Sequence, residues 1–306
     1  MEQDETSKGL SLRDEDFLDS LERERIPGDQ REKIREKIRE LRNYKPKVGI
    51  LGKTGAGKSS LCNAIFGQQV ANVSDVEACT RTPQEIFISL SGEDKPGLIL
   101  VDFPGIGESN ERDQEYKNLY GKWLPKLDLI LWVIKADDRA LSVDETFYKK
   151  IIKSRKRIPP IVFVINQVDK IEPSVGGWDE QKNCPGPSQL SNLGKKAEVI
   201  GQRFELAPLH IPAVSASRGF GLVDLVSHIV TVLPKERKAA FVRETKAENV
   251  SPETAKEAEK GFWDSIGDWL SRMREKYKKE IEWAKEKAVD LAKKAIEEFI
   301  RKKYGS

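Results

Sequence analysis

Apolar and polar positions divide the chain into three stretches with different periods. In residues 1–45, Phe17, Leu18 and Leu21, then Ile34, Ile38 and Leu41, recur at helical spacing, and Pro27 and Gly28 separate the two runs. The pattern predicts two short helices, with Asp29 as the N-cap of the second and Glu32 in the capping-box position. In residues 46–243 the apolar runs KVGIL, IFISL, LILVD, LILWVIK, PIVFVIN and IPAVSA alternate with helical stretches. That alternation predicts a doubly wound α/β domain with a mostly parallel sheet. The segment SLSGEDKPGLIL supplies a hairpin, so one edge strand is expected to run antiparallel. In residues 244–306, Phe262, Ile266, Trp269, Met273, Tyr277, Ile281, Ala284, Ala288, Leu291, Ala295 and Phe299 fall three or four apart among Lys and Glu. They predict one long amphipathic helix, or a hairpin broken near Gly261 or Gly267.

Composition narrows the function classes. The 306 residues are 38% hydrophobic and 34% charged, enough to bury a core in one domain with residues left for appendages, which excludes a disordered chain. Basic residues (53) and acidic residues (50) nearly cancel to a net +3, so no global field points at nucleic acid or an anionic membrane. Cys62, Cys79 and Cys184 are widely spaced, odd in number and without a metal-ligand pattern, which fits a reducing compartment and makes the cytoplasm the expected location. The acidic start MEQDETSKGL is unlike a signal peptide, and no run of about 18 apolar residues occurs.

The chemistry concentrates in the middle stretch. GKTGAGKS, Gly52 to Ser59, fits the G-x-x-x-x-G-K-[ST] phosphate loop between a strand and a helix. Gly52, Gly55 and Gly57 let the backbone, with Lys53, Thr54 and Ala56, curl around phosphates; Lys58 reaches the terminal phosphates, Ser59 ligates Mg²⁺, and Ser60 follows in the helix. In LILVDFPGIGES, Asp102 ends a strand where it can hold Mg²⁺ through water, and the N–H of Gly105 can sense a terminal phosphate. Taken alone, D-x-P-G is an ordinary turn; its place after the phosphate loop is what raises it. PIVFVINQVDKIE carries Asn166, Gln167 and Asp169 in N-x-x-D spacing, where an aspartate can accept from both the ring N–H and the exocyclic amine of guanine. Ser215, Ala216 and Ser217 follow in a small-residue loop that can present a backbone N–H to the base.

GKTGAGKSSLCNAIFG, EACTRTPQE, DFPGIGES and NQVD together resemble the translation-factor class of P-loop GTPases, Era-like and septin-like, and above all the bacterial small GTP-binding proteins of YfjP type. The resemblance covers about two thirds of the chain. It implies a Mg²⁺-dependent GTP hydrolase that binds GTP and GDP, with Lys58, Thr80 and Gly105 as catalytic residues and Ser59, Thr80 and Asp102 around the metal. Thr82 is an alternative to Thr80. It also implies that Val70 to Thr82 and Asp102 to Tyr120 act as switches. Ile106 stands where Ras-like members carry the glutamine that orients water, so hydrolysis is expected to be slow, or to depend on backbone groups, Glu108, a partner or a cation. Gly55 occupies the place of the asparagine used by potassium-dependent members, and Arg81 reads as a solvated surface arginine before an internal finger.

Three further function classes stay open beside the switch: a GTP-dependent assembly module with incidental hydrolysis, a membrane-associated dynamin-like protein, and an Era-like ribosome or RNA factor. Against the last, no basic stripe and no KH-type module follow the domain, so no specific nucleic acid is expected. For the C-terminal apolar stripe, packing on the N-terminal helices is favoured over a homodimer or other partner. A membrane surface is disfavoured by the even mix of Glu and Lys.

Overall fold

The computed structural model describes residues 12–23, 28–67, 83–90, 96–103, 113–153, 155, 157–207 and 211–272, and residues 286, 287, 289, 290, 293, 294, 297 and 301, all eight helical. Two helices lead in, α1 (Leu12–Arg23) and α2 (Gly28–Arg42), the second burying Ile34, Ile38 and Leu41 on one face. Because α2 starts at Gly28, Asp29 lies inside its first turn instead of capping it, 3.9 Å from the Lys33 ammonium. There its charge complements the helix N-terminus.

Five strands form the main sheet: β1 (Lys47–Leu51), β2 (Gln84–Ile88), β3 (Leu98–Asp102), β4 (Leu129–Lys135) and β5 (Ile161–Asn166). Their order is β2-β3-β1-β4-β5, parallel except for β2, which pairs antiparallel with β3 at the edge. β4 and β5 read as nearly continuous apolar runs because both faces are covered, whereas β2 alternates, burying Ile86 and Ile88 and exposing Glu85 and Phe87. The sixth run, IPAVSA, does not extend the sheet as a strand. It touches β5 through one bridge, Ile165 to Ala213, because Pro212 has no N–H to give and the chain turns back to pair Ser215 with Phe220.

Helices cover both faces. α3 (Lys58–Phe66) follows β1, α4 (Asp113–Trp123) precedes β4, α5 (Ser142–Phe147) runs into a π-helical turn at Tyr148–Ile152, and α6 (Pro187–Phe204) follows β5. Between β5 and α6 a two-residue pair, β6 (Trp178–Asp179) with β7 (Cys184–Pro185), braces the excursion. Side chains at alternate strand positions enter two layers. Val48, Ile50, Leu131 and Val164 meet α3 and α7 (Leu222–Val232), and Leu51, Trp132, Ile134 and Phe163 meet the α4 and α6 side.

α8 (Lys235–Arg243) and α9 (Pro252–Arg272) complete the described core. Ser251 Oγ accepts the Thr254 N–H at 3.1 Å, capping α9 ahead of Pro252. α9 passes through Gly261 and Gly267 without a break, as in the continuous-helix alternative and unlike the hairpin. At Gly261 glycine serves close approach: a Cβ there would lie 2.8 Å from the Lys235 carbonyl oxygen on α8. The first half of α9, with Ala255 and Ala258, belongs to the sheet's core. Its second half, with Phe262, Trp263, Ile266 and Leu270, packs on Phe17, Leu18, Ile34, Ile38 and Leu41 of α1 and α2.

Candidate nucleotide-binding site

The phosphate loop leaves β1 where the chain, having placed β3 on one side of that strand, later places β4 on the other, the switch point where open α/β sheets bind ligands. Gly52 adopts φ 140° with its backbone so close to Val133 of β4 that a side chain would strike the Val133 carbonyl. Gly57 adopts φ 83°, and a Cβ there would lie 2.5 Å from Asn166 Nδ2. The loop therefore runs between β4 and the end of β5 and delivers Lys58 and Ser59 to the first turn of α3. Lys58 Nζ donates to the Gly52 carbonyl at 3.1 Å and the Lys53 carbonyl at 3.3 Å, spanning the loop that it would open toward phosphate.

Asp102 ends β3 beside Ile50 of β1. Burial raises its pKa above the ordinary aspartate value, with the Lys58 charge opposing that rise, and its Oδ1 is buried without a hydrogen bond. A buried carboxylate oxygen lacking a donor is what a hydrated cation would satisfy, so Asp102, with the Ser59 hydroxyl at the head of α3, fits a Mg²⁺ position. Cys62, one turn after Ser59, is buried, and burial pushes its thiol far above the ordinary range, so it serves as core. Thr80, the alternative Thr82, Arg81, Gly105, Ile106 and Glu108 lie outside the described residues.

The base-recognition residues meet the phosphate loop directly. Asn166 is fully buried at the end of β5; its Nδ2 donates to the carbonyls of Ala56 (3.0 Å) and Gly57 (3.3 Å), and its Oδ1 accepts the Ala216 N–H at 3.3 Å. Gln167 is left-handed, φ 60°, and its amide donates to the Gly55 carbonyl at 2.9 Å while accepting from Lys170 at 3.1 Å. Asp169 Oδ1 accepts the Ser215 hydroxyl at 2.6 Å, and Ser215 Oγ lies 3.2 Å from Ser217 Oγ. That bond orients the carboxylate and leaves Oδ2 without a hydrogen bond among the described residues.

Three further contacts brace these loops. Gln189 of α6, fully buried, donates to the carbonyls of Ile171 (2.9 Å) and Pro173 (3.2 Å), holding the turn after Asp169. Trp178 meets Phe220 edge-on at 5.5 Å and carries the Arg218 guanidinium 5.0 Å over its ring, bracing the loop that holds Ser215 to Ser217. Lys53 is tied to Asp138 at 2.9 Å. No spacing rule links any of these pairs in sequence. A cavity of about 530 Å³ beside the loop is lined by Lys53, Thr54, Lys135, Asp137, Asp138 and Arg139, among others.

The fold and these clustered motifs define a P-loop nucleotide-binding protein of the GTPase class. Residues 47–167 match the family described as 50S ribosome-binding GTPase. Over 212 residues the chain is 44% identical to the uncharacterized protein YfjP of Escherichia coli K12, covering 69% of this chain and 70% of that one. It is 39% identical over 237 residues to the uncharacterized protein YkfA of the same organism, covering 77% and 79%. The chain belongs to the P-loop GTPase family, among proteins of YfjP type. Among solved structures it is similar to Era in complex with MgGDPNP and nucleotides 1506-1542 of 16S ribosomal RNA, with a TM-score of 0.45 and 28% identity, covering 62% of this chain and 57% of that one. No helix among the described residues is long and apolar enough to cross a membrane.

Proposed function

We propose that the protein is a Mg²⁺-dependent GTP hydrolase whose nucleotide state acts as a switch. The observation that carries this reading is the side chain of Asn166, which joins the phosphate loop to the Ala216 loop in one hydrogen-bonded unit beside Asp169. Guanine offers two adjacent donors to a carboxylate, and the Asp169 oxygens, steadied by Ser215, are suited to accept them. The N–H groups around Gly55 to Ser59 and the N-terminus of α3 bind the phosphates. Lys58, released from the loop carbonyls, offsets negative charge on the terminal phosphate as water attacks in line. Mg²⁺, held by Ser59 and Asp102 with Thr80 from the first switch, would supply further neutralisation of the phosphate oxygens.

Calorimetric titration with GTP, GDP and ATP in the presence of Mg²⁺, followed by phosphate-release assays over a range of protein concentrations, tests the reading. Selective guanine binding, with binding and turnover both lost in Lys58→Ala while the circular dichroism stays native, is the expected result. ATP bound as tightly as GTP would overturn the base assignment. Because Ile106 brings no amide to orient water, turnover that climbs steeply with protein concentration would place the missing group on a second copy.

A further inference from the structure

Lys53 follows Gly52 in the phosphate loop, yet its ammonium group is held by the turn after β4. Nζ donates to Asp138 Oδ2 at 2.9 Å and to the Ala140 carbonyl. It also lies 3.1 Å from Asp144 Oδ2, as an ion pair without hydrogen-bond alignment. Asp144, only 2% exposed at the start of α5, has the Trp132 indole N–H at 3.1 Å on its other oxygen. Asp138 is braced in turn: Oδ1 accepts the Ala140 N–H at 2.8 Å, and its carbonyl accepts from Lys196 of α6. Burial works against the charged form of Lys53, but Asp138 and Asp144 outweigh it and hold its pKa above the ordinary lysine value.

Such a bracket needs a reason. A carboxylate as buried as Asp144 is strongly unfavourable unless a cation pairs with it, and replacing such a pair by apolar groups is often stabilising, so ion pairing alone does not explain its presence. The loop supplies the reason. Gly52, Gly55 and Gly57 all sit at positive φ, so this glycine-rich stretch has much conformational freedom to lose. Asn166 and Gln167 hold Gly55 to Gly57, and Val133 abuts Gly52. Lys53 ties the arc between these two anchors to the turn after β4 and to α5.

We propose that Lys53 is a positioning residue rather than a phosphate ligand: pinned by Asp138 and Asp144, it holds the phosphate loop in the curve that receives a guanine nucleotide's polyphosphate. The role rests on the nucleotide reading above, and it removes Lys53 from the direct contacts expected of the motif. A loop held in its binding conformation beforehand loses less entropy when the ligand arrives.

Lys53→Met, Asp144→Asn and Lys53→Arg test it by GDP and GTP titration. Lys53→Met and Asp144→Asn are each expected to weaken GDP and GTP by a similar factor of about ten, with Lys53→Arg retaining most of the affinity. Selective loss of GTP in Lys53→Met with Asp144→Asn unaffected would make Lys53 a phosphate ligand and overturn the proposal. Affinities unchanged in all three, with only the melting temperature lowered, would make the bracket a matter of stability and overturn it as well. Amide exchange at residues 53–58 of the nucleotide-free protein reads the bracket separately from nucleotide chemistry. It should accelerate in Lys53→Met and Asp144→Asn, and unchanged exchange refutes the bracket whether or not the wild type prefers guanine.

Discussion

In the proposed reading, base selectivity rests at the residue scale on Asp169 and its Ser215 hydrogen bond. The Ser215 hydroxyl, 2.6 Å from Asp169 Oδ1, steadies the carboxylate, so in that reading a base with a different donor pattern leaves an acceptor unpaired. Asp169→Asn converts one acceptor into a donor, which suits the carbonyl that xanthine carries in place of guanine's amine. We expect GTP affinity to fall by at least about a hundredfold and xanthosine triphosphate to bind better than GTP; unchanged base preference in competition binding would place recognition elsewhere. Asp138 gives the pH dependence at this scale. Burial works against its charge, but the Lys53 hydrogen bond and the Ala140 N–H outweigh that and hold its pKa below the ordinary value. A depressed carboxylate pKa contributes stability that is complete above the unfolded value, about 3.9, and fades as pH falls through the lower folded one. Asp138→Asn should therefore flatten the acid side of the stability profile, read as urea midpoints between about pH 2 and pH 5. A profile as steep as the wild type's would mean that Asp138 contributes nothing to it.

At the scale of elements, what the chain announced in advance was whatever depends on short, fixed spacing. Gly52 to Ser59 is legible because the loop needs glycines at positive φ just where the motif has them, and the alternation in Gln84–Ile88 marks a half-covered edge. What was not legible depends on distance along the chain. Lys53 and Asp138 are 85 residues apart, and Asn166 and Ala56 are 110 apart; no local pattern states that such residues meet. IPAVSA failed as a strand because Pro212 and the turn at Ser215 outweigh its apolar composition. Gly261 shows the same ambiguity inside a helix. A glycine in an amphipathic run signals either a break or a close neighbour, and only the packing of α9 on α8 distinguishes them. Gly261→Leu should then leave α9 helical but push it off Lys235, destabilising the protein by about 1–3 kcal/mol in chemical denaturation. A stability equal to wild type would mean that the two helices do not approach as closely as described.

Across the whole molecule, α9 is the member that makes one body of the sheet domain and the helical cap. Its first half fills the same core as β1 and β4, and its second half fills the core shared with α1 and α2. The P-loop helix is bound into this arrangement from its far end, where the Lys246 N–H donates to the Ile65 carbonyl at 2.9 Å and Asn249 Nδ2 to the Ala64 carbonyl at 2.8 Å. Arg42 closes the cap. It bonds Asp14 on α1 and Glu259 on α9, its guanidinium lies 3.6 Å from the centre of the Phe262 ring, and its carbonyl accepts from Arg243 of α8. Arg42→Met would remove the cation that bonds both the fully buried Asp14 and Glu259. Removing one partner of a buried pair in this way costs about 3–5 kcal/mol. Because α9 spans both cores, that loss should not be confined to the cap. In denaturant, single-tryptophan proteins reporting on Trp132 in the sheet and on Trp263 in the cap should unfold together, and Arg42→Met should move both midpoints down by the same amount. If Trp263 reported an earlier transition while Trp132 held, the cap would be a separate folding unit, and α9 would be a tether between two bodies instead of a shared wall.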